Sequence, residues 1–170
     1  MITVHHLEHS RSQRVLWLLE ELRLPYEVKR YERNKSTSLA PPELQAIHPL
    51  GKSPVITDGK VTVAETGAIV EYLVEQAGDA LRPAAGTPER HRYTYWLHFA
   101  EGSAMPPLVM ALVFNRIKKA PMPFFARPIA KAIADNVLDG FVKPDLKRQL
   151  VFMESELASR PWFTGRAFTA

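Results

Sequence analysis

The sequence predicts an α/β domain followed by an all-α domain, and three observations carry that expectation. Short β-branched runs alternate with helix-patterned ones over the first 78 residues. Beyond Gly78 no strand pattern recurs. Between the two regimes lies "GDALRPAAGTPERH", a stretch of linker composition rich in Gly, Pro and Ala. The order β-α-β, one short helix, then β-β-α fits a four-stranded mixed sheet with helices packed on it, and the remainder reads as a helical bundle. The expected boundaries are 1–78 and 87–170.

Residues 2–7 (ITVHHL) read as the first strand. A helix follows from about Ser12 to Arg23, with Val15, Leu16, Trp17, Leu18, Leu19 and Leu22. That is apolar nearly all round, so the helix is expected to be well buried. Ser10 and Gln13 have the spacing of a capping box at its start. Leu24-Pro25 ends it and Tyr26-Glu27-Val28 resumes as a strand, completing a parallel βαβ unit. Residues 32–47 form a polar connection with one short helix at 42–47. Val55-Ile56-Thr57 and Val61-Thr62-Val63 then read as a hairpin joined by Asp58-Gly59. Pro54 stands at its mouth, where the missing N–H weakens pairing. A helix from Thr66 to Ala77 turns Ile69, Val70, Leu73 and Val74 inward, and Gly78 stops it.

In the second half, Pro88 suits the first turn of a helix carrying Tyr93, Trp96, Leu97 and Ala100 at helical spacing. Pro106-Pro107 is expected to kink or break it before a segment at 108–119. Two more helices are expected near 124–139 and 145–158, the last with Leu146, Leu150, Met153 and Leu157 on one face.

Composition narrows the function classes. The chain has 170 residues, 46% of them hydrophobic and 24% charged, with a net charge of +4. Basic residues interleave with acidic ones, as in "EVKRYERNK", so no continuous basic face for nucleic acid is expected. No apolar run approaches the ~20 residues of a membrane span, and "MITVHHLEHS" lacks a signal peptide, which makes the cytoplasm the default expectation. With no cysteine, the chain offers no disulfide, thiolate metal site or protein thiol. Any thiol chemistry must therefore use a sulfur brought by a ligand. The six histidines form no compact ligand pair, so no metal site is expected.

Three motifs in order narrow it further. They are "HHLEHSRSQRVLWLLEEL"; His48-Pro49-Leu50-Gly51-Lys52-Ser53-Pro54; and Glu65-Thr66-Gly67-Ala68-Ile69-Val70-Glu71-Tyr72-Leu73. With "PWFTGRAFTA" near the end, they resemble the cytosolic glutathione transferases, in particular the bacterial and fungal branch with a serine-type active-site turn. The resemblance spans essentially the whole chain. It implies a thioredoxin-like N-terminal domain that binds glutathione and a helical domain that supplies a pocket for a second substrate. The implied reaction is attack of the glutathione thiolate on a small hydrophobic electrophile, with glutathione as co-substrate and no cofactor. It also implies a homodimer. Rival readings are a binding or regulatory protein on the same fold, and a glutathione-dependent peroxidase or isomerase.

The resemblance also assigns roles. The bond before Pro54 is expected to be cis, exposing the backbone of Ser53 to pair with the cysteinyl backbone of glutathione. Glu65 would meet the γ-glutamyl ammonium, and the Thr66 hydroxyl with the following helix N-terminus its carboxylate. On residue chemistry alone, Thr66 is an N-cap and Glu65 a favourable charge at the helix start. Lys52 would meet the glycyl carboxylate, or lie as an ordinary surface lysine. Ser10 would donate to the thiol and favour the thiolate, or merely cap the first helix, with His9, Arg11 and Ser12 as alternatives. No tyrosine occupies the first strand or turn, which argues against tyrosine activation. The sequence departs from the family at Phe168-Thr169-Ala170, where an expected capping box lacks its acid. The resemblance thus implies a helical domain truncated at the C-terminus and incomplete relative to the family.

Overall fold

The computed structural model describes residues 1–170. The chain divides into two compact units, Met1–Ala84 with Thr169–Ala170, and Ala85–Phe168.

The first unit is built on strands β1 (Ile2–Leu7), β2 (Tyr26–Tyr31), β3 (Val55–Asp58) and β4 (Val61–Ala64), in the spatial order β2-β1-β3-β4. β1 runs parallel to β2, while β3 is antiparallel to both β1 and β4. This is the mixed four-stranded sheet expected. Helices α1 (Gln13–Leu22), α2 (Pro42–Ile47) and α3 (Thr66–Gln76) complete the unit.

Strand alternation divides β1 between two cores. Ile2 and Val4 pack with Ile56, with Val15, Leu18 and Leu19 of α1, and with Ile69, Leu73 and Val74 of α3. Leu7 faces the other way, onto Tyr31 and Leu44 of α2. β2 is an edge strand whose Glu27, Lys29 and Arg30 are exposed, charges that discourage pairing with another chain. At the end of α3, Gly78 (φ 66°) lets Asp79 N–H reach Val74 O at 2.9 Å and its own N–H reach Glu75 O at 3.0 Å. These paired bonds close the helix with a left-handed glycine, as expected for Gly78.

Three local expectations need correction. α1 is one-sided: Trp17 is 61% exposed, its indole N–H donating to Glu21 at 2.8 Å. Apolar residues outnumber the positions that the sheet and α3 can cover. The hairpin loop is Gly59-Lys60, because Asp58 pairs with Val61 and so belongs to the strand. The N-cap of α1 is Ser12, with Ser10 two residues upstream and outside the helix, so the Ser10–Gln13 capping box does not form.

The second unit contains α4 (Pro88–Phe99), α5 (Met105–Ile117), α6 (Arg127–Val137) and α7 (Lys143–Ala158). Pro106-Pro107 does not break its helix. α4 and α5 join through a wide π-turn, Ala100–Ala104, in which Met105 N–H reaches back five residues to Ala100 O. A second π-turn, Leu138–Val142, joins α6 to α7 directly before Pro144. In an ordinary helix a proline ring collides with the carbonyl four residues back. Here those residues are Gly102 for Pro106 and Gly140 for Pro144, each inside a widened turn that relieves the collision.

Because the helix is unbroken, Pro88–Ile117 runs for 30 residues and is long and apolar enough to cross a membrane by length and composition. The expectation that nothing approached a span rested on consecutive apolar residues, whereas Pro88–Ile117 reaches this length with charged residues interspersed. Within the unit, Tyr93, Ala134, Leu138 and Val142 are buried, and Trp96 stacks on Phe152 with ring centres 5.5 Å apart. The Arg92 guanidinium ties α4 to the later chain through Glu156 and the Phe163 carbonyl. Leu108 and Leu112 of α5, Ile129 and Ile133 of α6, and Leu150 and Val151 of α7 are exposed.

Candidate active site

Sheet register brings the sequence candidates to one end of the first unit. Val4 pairs with Ile56, so the turn after β1 lies beside the start of β3. Val55 pairs with Ala64, so Ser53-Pro54 lies beside Glu65-Thr66 at the end of β4. Ser10, Ser53, Pro54, Glu65 and Thr66 therefore converge on the edge where α1 and α3 begin. Lys52 is exposed one residue before Ser53. The Ser53–Pro54 bond is cis and Pro54 is buried.

Ser53 carries on the sheet where the ladder stops. β1 and β3 cease pairing at Val4 and Ile56. Beyond them the Ser53 hydroxyl donates to His5 O at 3.0 Å and accepts from Leu7 N–H at 3.4 Å. One side chain thus satisfies two β1 backbone groups that have lost their strand partner.

Ser10 enters through a tight turn. Its N–H reaches Leu7 O at 3.1 Å, and His9 takes the left-handed conformation at φ 52°. The Ser10 Oγ lies 3.2 Å from Ser53 Oγ and 2.7 Å from Ser12 Oγ, and accepts from Ser12 N–H at 3.4 Å. Ser12 is fully buried, and its hydroxyl caps nothing. It lies instead 2.7 Å from His6 Nδ1. Of the alternatives to Ser10, His9 points outward with its side chain 84% exposed beside Glu8. The reading of single residues missed His6, although its alternation with Ile2 and Val4 places it on the α1 face of β1.

At the other side of the site, Glu65 holds the N-cap position of α3 and Thr66 is the first helical residue, because Ile69 N–H closes onto Glu65 O at 3.0 Å. This corrects the expectation of Thr66 as the cap. Glu65 is exposed, with φ 72° and ψ 130° and no side-chain cap bond. A non-glycine residue held there costs about 1–3 kcal/mol, a strain found mostly where a residue serves a ligand. Thr66 is 92% covered.

His5, beside His6 in sequence, serves the opposite face. Its Nδ1 lies 2.9 Å from the Tyr31 hydroxyl and its Nε2 lies 3.1 Å from Thr57 Oγ1. Burial first, and Lys29 second, hold its pKa below the ordinary value. The unfolded chain therefore binds this proton more readily, with an ordinary histidine pKa of about 6.5. The stability conferred by neutral His5 is complete above that pH and is lost as pH falls through the lower folded-state pKa. Between pH 7 and 5 the thermal midpoint should drop, and by less in His5→Gln. Parallel pH profiles for the two proteins would show that His5 contributes nothing to the acid limb.

A mixed β-α-β–α–β-β-α sheet domain with hydroxyls and a helix start at one sheet end, followed by a helical unit, defines a thioredoxin-like protein with an α-helical partner domain. The family model described as the glutathione S-transferase N-terminal domain matches residues 1–75. Glutathione S-transferase 3 of Schizosaccharomyces pombe is 37% identical over 171 residues, an alignment covering all of this chain and 69% of that protein. A glutathione S-transferase structure from Actinobacillus pleuropneumoniae superposes with a TM-score of 0.75 at 33% identity, over 99% of this chain and 72% of that one. A glutathione transferase family member from Pseudomonas fluorescens, solved with two glutathione bound, gives a TM-score of 0.75 at 26% identity, over 99% and 70%. The chain belongs to the glutathione S-transferase family.

Proposed function

We propose that this chain conjugates the glutathione thiolate to small hydrophobic electrophiles, a detoxifying reaction carried out in the cytoplasm by a homodimer. The observation that carries the reading is the Ser10 hydroxyl held 3.2 Å from Ser53 Oγ at the sheet end where α1 begins. Glutathione lies along that end in this reading. The Ser53 backbone pairs with its cysteinyl residue, Lys52 meets the glycyl carboxylate, and Glu65 and Thr66 hold the γ-glutamyl group. Pro54 shapes the turn that presents Ser53. Ser10 donates to the sulfur, and the N-terminus of α1 adds a favourable field for negative charge. A thiol with a free pKa of ~8.5 is thereby shifted toward its nucleophilic form near neutrality.

The chemistry needs little beyond positioning. Thiolate sulfur attacks the electrophilic carbon, a C–S bond forms, and the leaving group departs with its electron pair. Titration with glutathione followed by turnover with an activated aryl halide tests the reading. Binding with conjugation is expected. Binding without conjugation would favour a regulatory role, and no binding would remove the proposal.

The γ-glutamyl contact gives a further expectation. Glu65 is exposed and strained where that ammonium would lie. Losing a charge-assisted bond costs ~1.5–3 kcal/mol, so Glu65→Ala should weaken glutathione binding by roughly 10- to 100-fold. Calorimetry showing wild-type affinity in the folded variant would take Glu65 out of the site.

A further inference from the structure

The hydroxyls beside Ser10 form a chain with a definable direction. His6 Nδ1 lies 2.7 Å from Ser12 Oγ, Ser12 Oγ lies 2.7 Å from Ser10 Oγ, and Ser10 Oγ lies 3.2 Å from Ser53 Oγ. The Ser53 end is fixed, because its only proton goes to the His5 carbonyl, which can only accept. Ser53 therefore accepts from Ser10, and each serine has one proton to give.

Two orientations remain, and the imidazole selects between them. If His6 Nδ1 is bare, Ser12 must donate to it, and nothing donates to Ser10 from the Ser12 hydroxyl. Ser10 then faces two oxygens whose protons are both committed elsewhere, and its single proton is divided between them. If His6 Nδ1 carries the proton, every link is satisfied in one direction. His6 donates to Ser12, Ser12 to Ser10, and Ser10 onward to Ser53 or to whatever replaces it. Only this orientation sends the Ser10 proton consistently outward, and each donated bond strengthens the next donor.

Ser12 supports a dedicated use. It occupies the N-cap position of α1, where a serine side chain normally accepts a backbone N–H, yet it is fully buried and makes no such bond. The stabilisation usual for that position is forgone, and the hydroxyl joins His6 to Ser10 instead.

We propose that His6, protonated on Nδ1, is a positioning residue that acts through Ser12 to aim the Ser10 hydroxyl at the thiol of bound glutathione. This rests on the reading of Ser10 as the thiol's donor. The same orientation holds for the neutral Nδ1–H tautomer and for the imidazolium. His6 touches neither substrate, and no proton need travel the chain during turnover. Its effect is to make Ser12 a donor to Ser10, and that donated bond polarises the Ser10 hydroxyl and leaves its proton free for the thiol.

The test uses the glutathione complex of the full chain. Nitrogen-15 shifts of the His6 ring should report a protonated Nδ1, and a bare Nδ1 would overturn the proposal without touching Ser10. His6→Leu and Ser12→Ala should each raise the pKa of the bound thiol by about one unit, a tenfold change in the thiolate-to-thiol ratio. kcat below that pKa should fall with it, while KM for glutathione holds. The double variant should be no worse than either single one, because both cut the same chain. His6→Asn restores a donor near the Nδ1 position and should recover most of the loss. Should His6→Leu fail to fold, Ser12→Ala and the ring shifts decide. Unchanged thiol titration in folded His6→Leu and Ser12→Ala, with Ser10→Ala still shifted, would overturn the relay and leave Ser10 in place. Unchanged titration in Ser10→Ala as well would remove both.

Discussion

Ser10→Ala should retain the fold and glutathione affinity while conjugation at neutral pH falls about 100-fold or more. Removing a single preorganised donor to a developing or resident anion typically costs 10²–10³ in rate. The structural alternative has become weak. Had Ser10 capped α1, the substitution would act through stability, but Ser12 holds the cap position. What Ser10→Ala removes is one hydroxyl facing Ser12 and Ser53, a stability loss of about 1 kcal/mol. The decisive measurement is thiolate absorbance of the binary complex against pH. Its midpoint should move toward the free-thiol value of ~8.5, and rate should be regained at high pH as the thiol ionises unaided. Superimposable titrations for variant and wild type would end the assignment.

The largest effect on stability is expected at Leu19. This residue is fully buried in α1 and packs in the core that joins β1, β3, α1 and α3. Leu→Ala at such a position removes transfer energy and leaves a cavity, costing about 2–5 kcal/mol. For a domain of under a hundred residues that lowers the melting temperature by about 8 °C or more. Trp17, two residues away and 61% exposed, is the control: Trp17→Ala should move the midpoint far less despite removing more atoms. Equal losses would mean that Trp17 is covered in solution.

The contrast between these two residues marks what the sequence could disclose. Periodicity located α1, but its apolar residues run nearly all the way round, and which face is inward depends on the sheet and α3. The strands, the hairpin and the Gly78 stop were legible because each has local chemistry: β-branched runs, Asp58-Gly59, and a glycine at a helix end. Their exact edges were not, since Asp58 joins a strand only by pairing with Val61. The convergence of Ser10, Ser53 and Glu65 was reachable through family motifs alone, because it depends on the register of three strands. His6 stands in "HHLEHS" with no motif of its own to mark it. Its relevance comes from a contact with Ser12 across a turn, and no spacing rule encodes that. Pro106-Pro107 misled for the opposite reason: the local rule is sound, but the widened turn before the prolines cancels it.

Those two widened turns have a consequence for how the helical unit can vary. A π-turn is a helix with one surplus residue, and one residue is about 100° of rotation. The surplus residue is absorbed within the turn, so the helical repeat read from the sequence slips by that angle at Ala100–Ala104 and at Leu138–Val142 while each helix continues along the same rod. Deleting one residue from Ala100–Ala104 would restore a regular pitch and leave α5 facing as it does, but would bring the Pro106 ring against the carbonyl four residues behind it. The dependence runs one way: the widened turn tolerates loss of the proline that follows it, whereas the proline is tolerated only with the turn in place.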